Sequence, residues 1–341
     1  MAQRFAADIS DNSELGTQTI RLRYDAESPA ESVYAEIAPF YGSNLCKYQV
    51  GGYDLIVCDA ALLKDRDWTG TFVLWPIPNR VRDKQYEFAG HIQSLKKVKR
   101  KRGNEPLIHG FVDDIPWQFS EPEVDAQSAR VRTWVEVKRG DAIYEYYPYE
   151  SRLELTYTLT ASGIKVAYEV QNLGDKTLPF GFALHPYFAA HSGHDETLVV
   201  LPAEHIMEAD EDLLPSGTLL PMGVHDYDLR NPTPVSSLEL DHVFTGLHKD
   251  ADAAIIYPDR HLKLKLACSS EFTHMVLYTL ESDKGFICFE NQTGSTDMIN
   301  LHTKSQKESD EDLAKAAHLM TLPAGESHSG YIEYRIEALH Q

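Results

Sequence analysis

The sequence is poor in cysteine, in basic residues and in long apolar runs. Its four cysteines lie far apart and form no Cys-x-x-Cys pair, so their spacing supports neither a zinc site nor a disulfide framework. Lysine and arginine number 32 against 52 acidic residues, which gives a formal net charge of −20. No segment approaches the ~18 apolar residues of a membrane-spanning helix, and the N-terminus MAQRFAADISDNSELG lacks the apolar core of a signal peptide.

These absences argue against several classes of protein. A strongly negative surface repels phosphate backbones and anionic lipid head groups, so we expect neither nucleic acid nor a membrane as partner. The one basic run, from Lys96 to Arg102, has the composition of a nucleic-acid patch, but a solvated loop is the favoured interpretation. Without a targeting segment, the expected compartment is the cytoplasm.

The length and composition suit a large all-β protein. A chain of 341 residues buries enough surface to form a core without disulfides or metal. Its 18 Tyr and 13 Phe favour strands, where aromatic side chains fit a half-buried pleated surface. No linker or internal repeat divides the chain, and large all-β folds often form one unit. We therefore predict a single domain over residues 1–341, with its core from about residue 18.

Apolar and polar residues alternate along much of the chain. In QTIRLRY, Ile20 and Leu22 share one face, and the same alternation recurs in ARVRTWVEVK, RLELTYTLT, GIKVAYEV, HLKLKLA and YIEYRIE. Leu159 and Ile164 flank the segment TASG, which predicts a hairpin with Gly163 available for a positive φ. Many short strands without alternating helices predict an antiparallel sandwich or barrel.

One segment is a good candidate for a helix. After Ser309, the residues SDED resemble an N-terminal cap, and Leu313, Ala317 and Met320 keep helical spacing. The helix is expected to end before Pro323.

A glutamate in an apolar strand is the strongest candidate for chemistry, because burying an unpaired charge is costly. In GFICFENQTGSTDMIN, a strand places Phe286, Cys288 and Glu290 on one face, and Gln292 continues it. This row is otherwise expected to face the core, so desolvation would raise the pKa of Glu290 towards the range of a general base. The alternative is a carboxylate at the strand end that faces water or pairs with an arginine.

A histidine in GFALHPYF is the second candidate. Pro186 disfavours the α region at His185, which predicts extended backbone with His185 and Tyr187 on one face. Such a histidine suits a proton donor, although a hydrogen-bonded core histidine gives the same pattern. A metal site of His185, His191 and His194 is disfavoured, because the spacing matches no helical two-histidine motif and the proline excludes a continuous helix.

Other polar residues occur singly in apolar surroundings, and each taken alone also suits a structural role. They are Asn79 and Arg80 in LWPIPNRV, His109 in LIHGF and Asp241 in LELDHVF. Arg80 offers forked donors to sugar hydroxyls, and Asp241 can accept from a pair of hydroxyls. Aromatic residues suited to the apolar face of a pyranose are Trp75, Trp117, Tyr187 and Phe111.

The order of these pieces carries a resemblance. Along the chain stand PNRV at 78–81, HGF at 109–111, HPYF at 185–188, LDHVF at 240–244 and FENQTGSTDMIN at 289–300, followed by PAGES at 323–327 before YIEYRIE. From roughly residue 18 to its end the chain resembles the aldose 1-epimerase (galactose mutarotase) family. The sequences HPYF and WPIPNR are similar to those of a less characterised bacterial branch of the family.

The resemblance implies an all-β fold, a β-supersandwich of two large antiparallel sheets with few short helices. It also implies a site in an open cleft, where Glu290 is the catalytic base and His185 the catalytic acid. By it, His109 is a second histidine near the ring oxygen, and Arg80 and Asp241 bind substrate. From the resemblance and from shared strand faces together, the expected substrate-binding residues are Arg80, His109, Asp241, Asn79, Tyr187 and Gln292.

The implied activity is aldose 1-epimerisation of a free monosaccharide by a monomer or homodimer, without metal or cofactor. The sequence departs from the family's usual motifs at three places, so the identity of the sugar is not predicted. They are WPIPNR, which ends at Arg80, Phe111 after Gly110, and Asn291 after the glutamate. The alternatives are a non-catalytic sugar sensor, a hexose-phosphate epimerase, and a glycoside hydrolase with Asp241 and Glu290 as its carboxylate pair.

Overall fold

The structure, a computed structural model, describes residues 4–98, 107–190, 197–248 and 250–339. Within these ranges the strands form sheets of ten, seven and five strands and two sheets of two strands, with antiparallel pairing throughout. The prediction of an all-β supersandwich with two large antiparallel sheets is therefore confirmed, and the N-terminal segment adds a third, smaller sheet.

The five-stranded sheet follows chain order: β1 (Phe5–Asn12), β2 (Thr17–Tyr24), β3 (Val33–Ala38), β4 (Asn44–Val50) and β5 (Tyr53–Asp54). The seven-stranded sheet has the spatial order β18 (Pro215–Pro221), β17 (Ala203–Ala209), β20 (Asp241–Leu247), β23 (His274–Tyr278), β24 (Phe286–Gln292), β15 (Ala183–Ala189) and β6 (Thr71–Leu74).

The ten-stranded sheet has the spatial order β10 (Glu123–Val124), β11 (Ala129–Val137), β12 (Ser151–Thr160), β13 (Gly163–Asn172), β26 (Ser327–Ala338), β22 (Leu262–Cys268), β21 (Ala253–Tyr257), β16 (Leu198–Val200) and β19 (Thr233–Pro234). A tenth strand, β9 (Gln118–Phe119), also pairs with β11. The small sheets pair β7 (Gln85–Phe88) with β8 (His91–Ser94), and β14 (Leu178–Phe180) with β25 (Met320–Leu322).

The α-helices of the described ranges are α1 (Ala60–Lys64), α2 (Met298–Glu308) and α3 (Glu311–Ala317). Short 3₁₀ turns occupy Pro29–Glu31, Pro39–Tyr41, Arg82–Lys84, Ile143–Glu145, Val235–Ser237, Pro258–Arg260 and Ser282–Lys284. In the part of the chain that the structure describes, no helix combines the length and the apolar character that crossing a membrane requires.

The hairpin of β12 and β13 shows how the alternating pattern builds the large sheet. Leu159 pairs with Ile164 around a two-residue loop, and Gly163 has a φ of +142°, as the sequence predicts. A Cβ at Gly163 would lie 2.1 Å from the backbone oxygen of Tyr334, because β26 pairs closely with β13 there. Glycine is therefore needed for both the backbone conformation and the strand approach.

One continuous hydrophobic cluster joins the three larger sheets. It includes Leu22 of the five-stranded sheet, Leu155 of the ten-stranded sheet and Phe289 of the seven-stranded sheet. This cluster agrees with the single domain expected from the sequence, which stays a prediction.

Helix α3 starts where the sequence predicts. The Asp310 side chain accepts hydrogen bonds from the backbone N–H groups of residues 312 and 313, and Leu313 is buried. The predicted extension to Met320 is wrong: the helix ends at Ala317, because His318 adopts a left-handed conformation and Met320 begins β25. Helix α2 was not predicted from the sequence.

Candidate active site

The two residues predicted to exchange protons lie on neighbouring strands. In the antiparallel pairing of β15 with β24, Ala183 pairs with Gln292 and Tyr187 with Cys288, so the same register places His185 opposite Glu290. His185 Nε2 lies 3.1 Å from Glu290 Oε1, and the two side chains are 9% and 3% exposed. Directly opposed residues on one face of an antiparallel pair interact closely, and this pair does so away from bulk water.

The face that carries this pair is turned away from the core between the sheets. Alternate residues of the same strands, among them Leu184, Phe188 and Ile287, belong to the main hydrophobic cluster. The expectation that the row leading to Glu290 faces the core is therefore wrong, whereas its shared face with Gln292 is as predicted. The row is nonetheless buried, since Cys288 has no exposed surface.

Burial sets the proton affinities of the pair. Desolvation raises the pKa of Glu290 to about 8, and the negative charge of Asp241 acts in the same direction, against smaller opposing effects of Gln292 and Arg80. Desolvation lowers the pKa of His185 to about 3. Between these values the pair holds one proton in total, shared along a 3.1 Å contact. One partner is then always an acid and the other a base.

Gln292 fixes the orientation of the carboxyl group. Its Nε2 donates to Glu290 Oε2 at 3.0 Å, which leaves Oε1 for His185. Gln292 has no exposed surface, and its Oε1 has no hydrogen-bond partner among the described residues. The residue therefore positions the base and also offers a hydrogen-bond acceptor.

Arg80 and Asp241 form a second polar pair on the same side of the sheet. Arg80 Nη2 lies 3.3 Å from Asp241 Oδ2, and Arg80 Nη1 donates to Asn79 Oδ1 at 3.2 Å. Asp241 begins β20, two strands away from β24, and adjacent strands lie ~4.8 Å apart. The proposed substrate-binding pair thus lies two strands from the proton-transfer pair, and the charges of Asp241 and Arg80 both act on Glu290.

His109 joins the site through its ring. The centroid of the His109 ring lies 5.0 Å from that of His185 in an edge-to-face arrangement. The backbone of His109 has a φ of +72°, in the left-handed region. A Cβ on the next residue, Gly110, would lie 2.3 Å from the backbone oxygen of Trp75. The glycine is thus required for a close approach of two backbone segments within the protein.

The aromatic walls of the site differ from those expected. Trp75, Trp117 and Phe111 are buried in the main hydrophobic cluster and do not form a platform for a sugar. Tyr187 does lie at the site, with its ring stacked on His185 at 5.2 Å. Phe72 was not predicted, and its ring also stacks on that of His185, at 4.5 Å between centroids.

The pattern of a single strand could not identify Phe72 as a site residue. It pairs directly with His185 across β6 and β15, so it becomes visible only once the strand order is known. Its ring restricts the rotation of the imidazole and keeps water from it.

No group of three or more His, Cys, Asp or Glu side chains in the described ranges is arranged to hold a metal ion. His191 and His194, considered with His185 as a metal site, lie outside those ranges. The four cysteines are free thiols.

Two cavities meet at Arg80. One, of about 920 Å³, is bordered by residues 80–85 and 211–214 and by Lys96, while residues 99–102 of the basic run lie outside the described ranges. Arg82 in this cleft is matched by Asp210 at 3.0 Å and by Asp297 at 3.9 Å. The other cavity, of about 180 Å³, lies on the side of Asp241.

The supersandwich, which carries the buried His–Glu pair on its seven-stranded sheet, is the fold of galactose mutarotase-like proteins. The sequence model of the family described as "Aldose 1-epimerase" matches residues 32–335, so the chain belongs to the aldose 1-epimerase family. The family expected from the sequence is thereby confirmed.

Solved structures show the same fold at low sequence identity. A galactose mutarotase-like protein from Clostridium acetobutylicum has a TM-score of 0.84 at 21% identity, covering 99% of this chain and 100% of that chain. A galactose 1-epimerase from Lactobacillus acidophilus NCFM has a TM-score of 0.74 at 18% identity, covering 99% and 100%.

Sequence similarity to relatives covers shorter segments. A maltose epimerase of Levilactobacillus brevis is 23% identical over 189 residues, which are 54% of this chain and 53% of that protein. A galactose mutarotase of Rattus norvegicus is 33% identical over 92 residues, 26% of each chain. The chain thus matches about half of one relative and about a quarter of the other, and these low identities agree with a less characterised branch of the family.

Proposed function

We propose that the protein is an aldose 1-epimerase that interconverts the α and β anomers of a free sugar, with His185 and Glu290 as its proton-transfer groups. The observation that carries the proposal is the contact of 3.1 Å between these two side chains, both buried and on adjacent strands. A pair that holds one proton in total suits a reaction that removes one proton and delivers another.

The reaction follows from the two protonation arrangements of the pair. Glu290 as carboxylate takes the proton of the C1 hydroxyl, while His185 as imidazolium gives its proton to the ring oxygen and the bond from C1 to that oxygen breaks. Glu290 is now the acid and His185 the neutral base. After the aldehyde turns about C1–C2, the same groups act in reverse and close the ring on the other face. No net proton or electron is exchanged with solvent.

The neighbouring residues supply positioning. Arg80 and Asp241 together present donors and acceptors to adjacent sugar hydroxyls, and Asn79 holds the guanidinium through its Oδ1. His109, against the His185 ring, is placed to assist at the ring oxygen. Such positioning adds to the ~10²–10⁴-fold acceleration that acid–base groups supply.

The charges around the site favour a neutral sugar over a sugar phosphate. Arg80 and Arg82, which line the larger cleft, are each paired with carboxylates, and Asp83 and Glu211 stand beside them. A phosphate group would have to displace these partners. Asp241 is likewise bound to Arg80 and Glu290 to a histidine, so the two carboxylates do not form the matched pair of a glycoside hydrolase.

Freshly dissolved pure anomers of several hexoses, followed by polarimetry, test the proposal. Replacing Glu290 by Gln should lower the catalysed rate by about 10²–10⁴-fold while leaving sugar binding in place. Glu169→Gln is the matched control, because Glu169 is a half-buried strand glutamate of the ten-stranded sheet. Near-normal turnover by Glu290→Gln would refute the assignment, and sugar binding without any acceleration by the unaltered protein would favour the sensor.

A further inference from the structure

A small pocket beside Arg80 and Asp241 has no role in the reaction described above. Its volume is about 180 Å³, roughly six times the ~30 Å³ that one water occupies in the liquid. It is therefore large enough for a substituent of a sugar ring. Its walls come from β17, β18, the start of β20 and the segment that follows β24.

The position of the pocket relates it to one part of the sugar ring. The strands run in the order β20, β23, β24, β15, so Glu290 lies between His185 on one side and Asp241 on the other. With the ring oxygen at His185 and the C1 hydroxyl at Glu290, C2 is the ring atom on the side away from His185. The substituent at C2 consequently points towards β20 and the pocket.

Much of the pocket wall is apolar. Ile206, Met207, Leu220 and Val243 contribute to it. A hydroxyl group alone would leave this apolar surface facing water, which is unfavourable at ~25 cal/mol per Å². The pocket thus suits a group that carries a methyl as well as polar atoms.

Polar groups stand at defined places in the same wall. His242 Nδ1 accepts a hydrogen bond from the backbone N–H of Asp241 at 3.2 Å, so neutral His242 carries its proton on Nε2 and is a donor there. Burial and the neighbouring His225 lower the pKa of His242, which keeps it neutral near pH 7. The Thr296 hydroxyl is buried, with 1% of the residue exposed, and within the described part of the chain its Oγ1 has no hydrogen-bond partner.

We infer that the pocket binds the acetamido group of a 2-acetamido-2-deoxyhexose, so that N-acetylhexosamines are the substrate class of this site. The methyl group packs among Leu220 and Val243, the carbonyl accepts from His242 and from the Thr296 hydroxyl, and the amide N–H donates to Asp241. The inference rests on the proposed function, because it takes the orientation of the ring from the proton-transfer pair.

The test compares N-acetyl-D-glucosamine with D-glucose, two sugars that differ only at C2. Anomeric exchange by polarimetry should give a kcat/KM at least ~10-fold higher for N-acetyl-D-glucosamine, as expected for one filled apolar pocket. Leu220→Phe fills the pocket and should lower kcat/KM for this sugar ~10-fold or more, with glucose changed less than about twofold. Leu219→Phe is the matched control, since Leu219 is the exposed neighbour on the same strand and does not line the pocket.

Thr296→Val, which keeps the side-chain shape, provides a second variant in case Leu220→Phe folds poorly. It should raise KM for N-acetyl-D-glucosamine and leave KM for glucose unchanged. Equal kcat/KM for the two sugars, or equal losses for both in Leu220→Phe, would overturn the inference while leaving the epimerase proposal intact.

Calorimetric binding of both sugars separates the two proposals if no exchange is accelerated. Preferential binding of N-acetyl-D-glucosamine that Leu220→Phe abolishes would support the pocket and reject catalysis. Equal binding of the two sugars would reject the pocket.

Discussion

At the scale of single residues, the site depends on how burial divides one proton between two side chains. An exposed glutamate and histidine would exist as carboxylate and partly protonated imidazole near neutral pH. In the protein, desolvation raises the pKa of Glu290 and lowers that of His185, so the neutral form of each side chain is stabilised. The arrangement with the proton on Glu290 and a neutral His185 is therefore favoured in the free protein, the reverse of the order in water, and the proton must pass to His185 before Glu290 can act as the base.

The pH dependence of the catalysed rate follows from this pair. Above about pH 8, Glu290 loses the last proton of the pair, so kcat/KM should fall on the alkaline side. On the acidic side it should fall only towards about pH 3, where His185 gains a second proton. Between these limits kcat/KM should be nearly constant, because the proton count does not change. Polarimetry across the range, corrected for spontaneous exchange, measures the profile.

A profile with an acidic limb near pH 6.5, the ordinary value for histidine, would contradict this description of the pair. Tyr187→Phe serves as the control, since it keeps the aromatic ring on His185 and both titrating groups. Its limbs should coincide with those of the unaltered protein.

At the scale of elements, strand faces could be predicted from the sequence, whereas contacts between strands could not. Alternation placed Glu290 with Gln292 and His185 with Tyr187, and the structure keeps both pairs on shared faces. Which face meets the core depends on the sheet opposite, and a single strand with apolar residues on both faces does not show it. Phe72 was missed for the same reason, since only the pairing of β6 with β15 brings it to His185.

Helix α2 shows a different limit. Its first residue follows Asp297, which has a φ of +56° and makes no side-chain cap, so the usual N-terminal signal is absent. The helix is held by tertiary contacts: Asn300 Nδ2 donates to the backbone oxygen of Gln85 at 2.9 Å, and Met298 is buried in the main cluster. Local propensity cannot indicate a helix that depends on such distant partners.

Helix α3, in contrast, carries its own cap, and the cap can be tested. The Asp310 carboxylate accepts from the N–H groups of residues 312 and 313 at 3.1 and 2.9 Å. Asp310→Ala should therefore lower the free energy of unfolding by ~1 kcal/mol, within the usual range of ~0.5–2 kcal/mol for a lost cap. Urea denaturation followed by circular dichroism measures this change.

The adjacent Asp312 is the control for the cap, because its side chain is 95% exposed and takes no part in it. Asp312→Ala also removes one negative charge from the first turn, so it should cost less than ~0.5 kcal/mol. Equal losses in the two variants would mean that charge, and not capping, stabilises this helix end.

At the scale of the whole molecule, the order of short motifs gave the fold and the family, but composition gave little about the site. The net charge of −20 describes the surface, whereas the pKa values of the buried groups are shifted away from their ordinary values by their surroundings. His274, buried and hydrogen-bonded to the backbone oxygen of Ala316, has a pKa lowered to about 3 by desolvation. Composition does not separate this histidine from His185, which only its proline neighbour and the HPYF motif singled out.

The buried groups together predict an acid-shifted optimum of stability. Glu290 binds its proton more tightly when folded, so the free energy of unfolding falls as the pH rises from 4.5 to about 8. His185 and His274 bind protons more weakly when folded, so stability falls as the pH drops from 6.5 towards about 3. Self-repulsion of a chain with a net charge of −20 adds to the loss at high pH. Two histidines outweigh one glutamate between pH 4.5 and pH 6.5, so the urea midpoint should be highest near pH 6.5, above which the loss from Glu290 prevails.

The contribution of the candidate site to this optimum can be isolated with Glu290→Gln. The amide does not titrate, so the variant should lose less stability than the unaltered protein between pH 6.5 and about pH 8. Its acidic side should become steeper between pH 6.5 and pH 4.5, because Glu290 no longer offsets the effect of the histidines there. Glu169→Gln, on the ten-stranded sheet, controls for the loss of one charge. If both variants flatten the alkaline side equally, the global charge explains the optimum; if only Glu290→Gln does, the same buried proton that the proposed reaction requires also sets the stability of the fold.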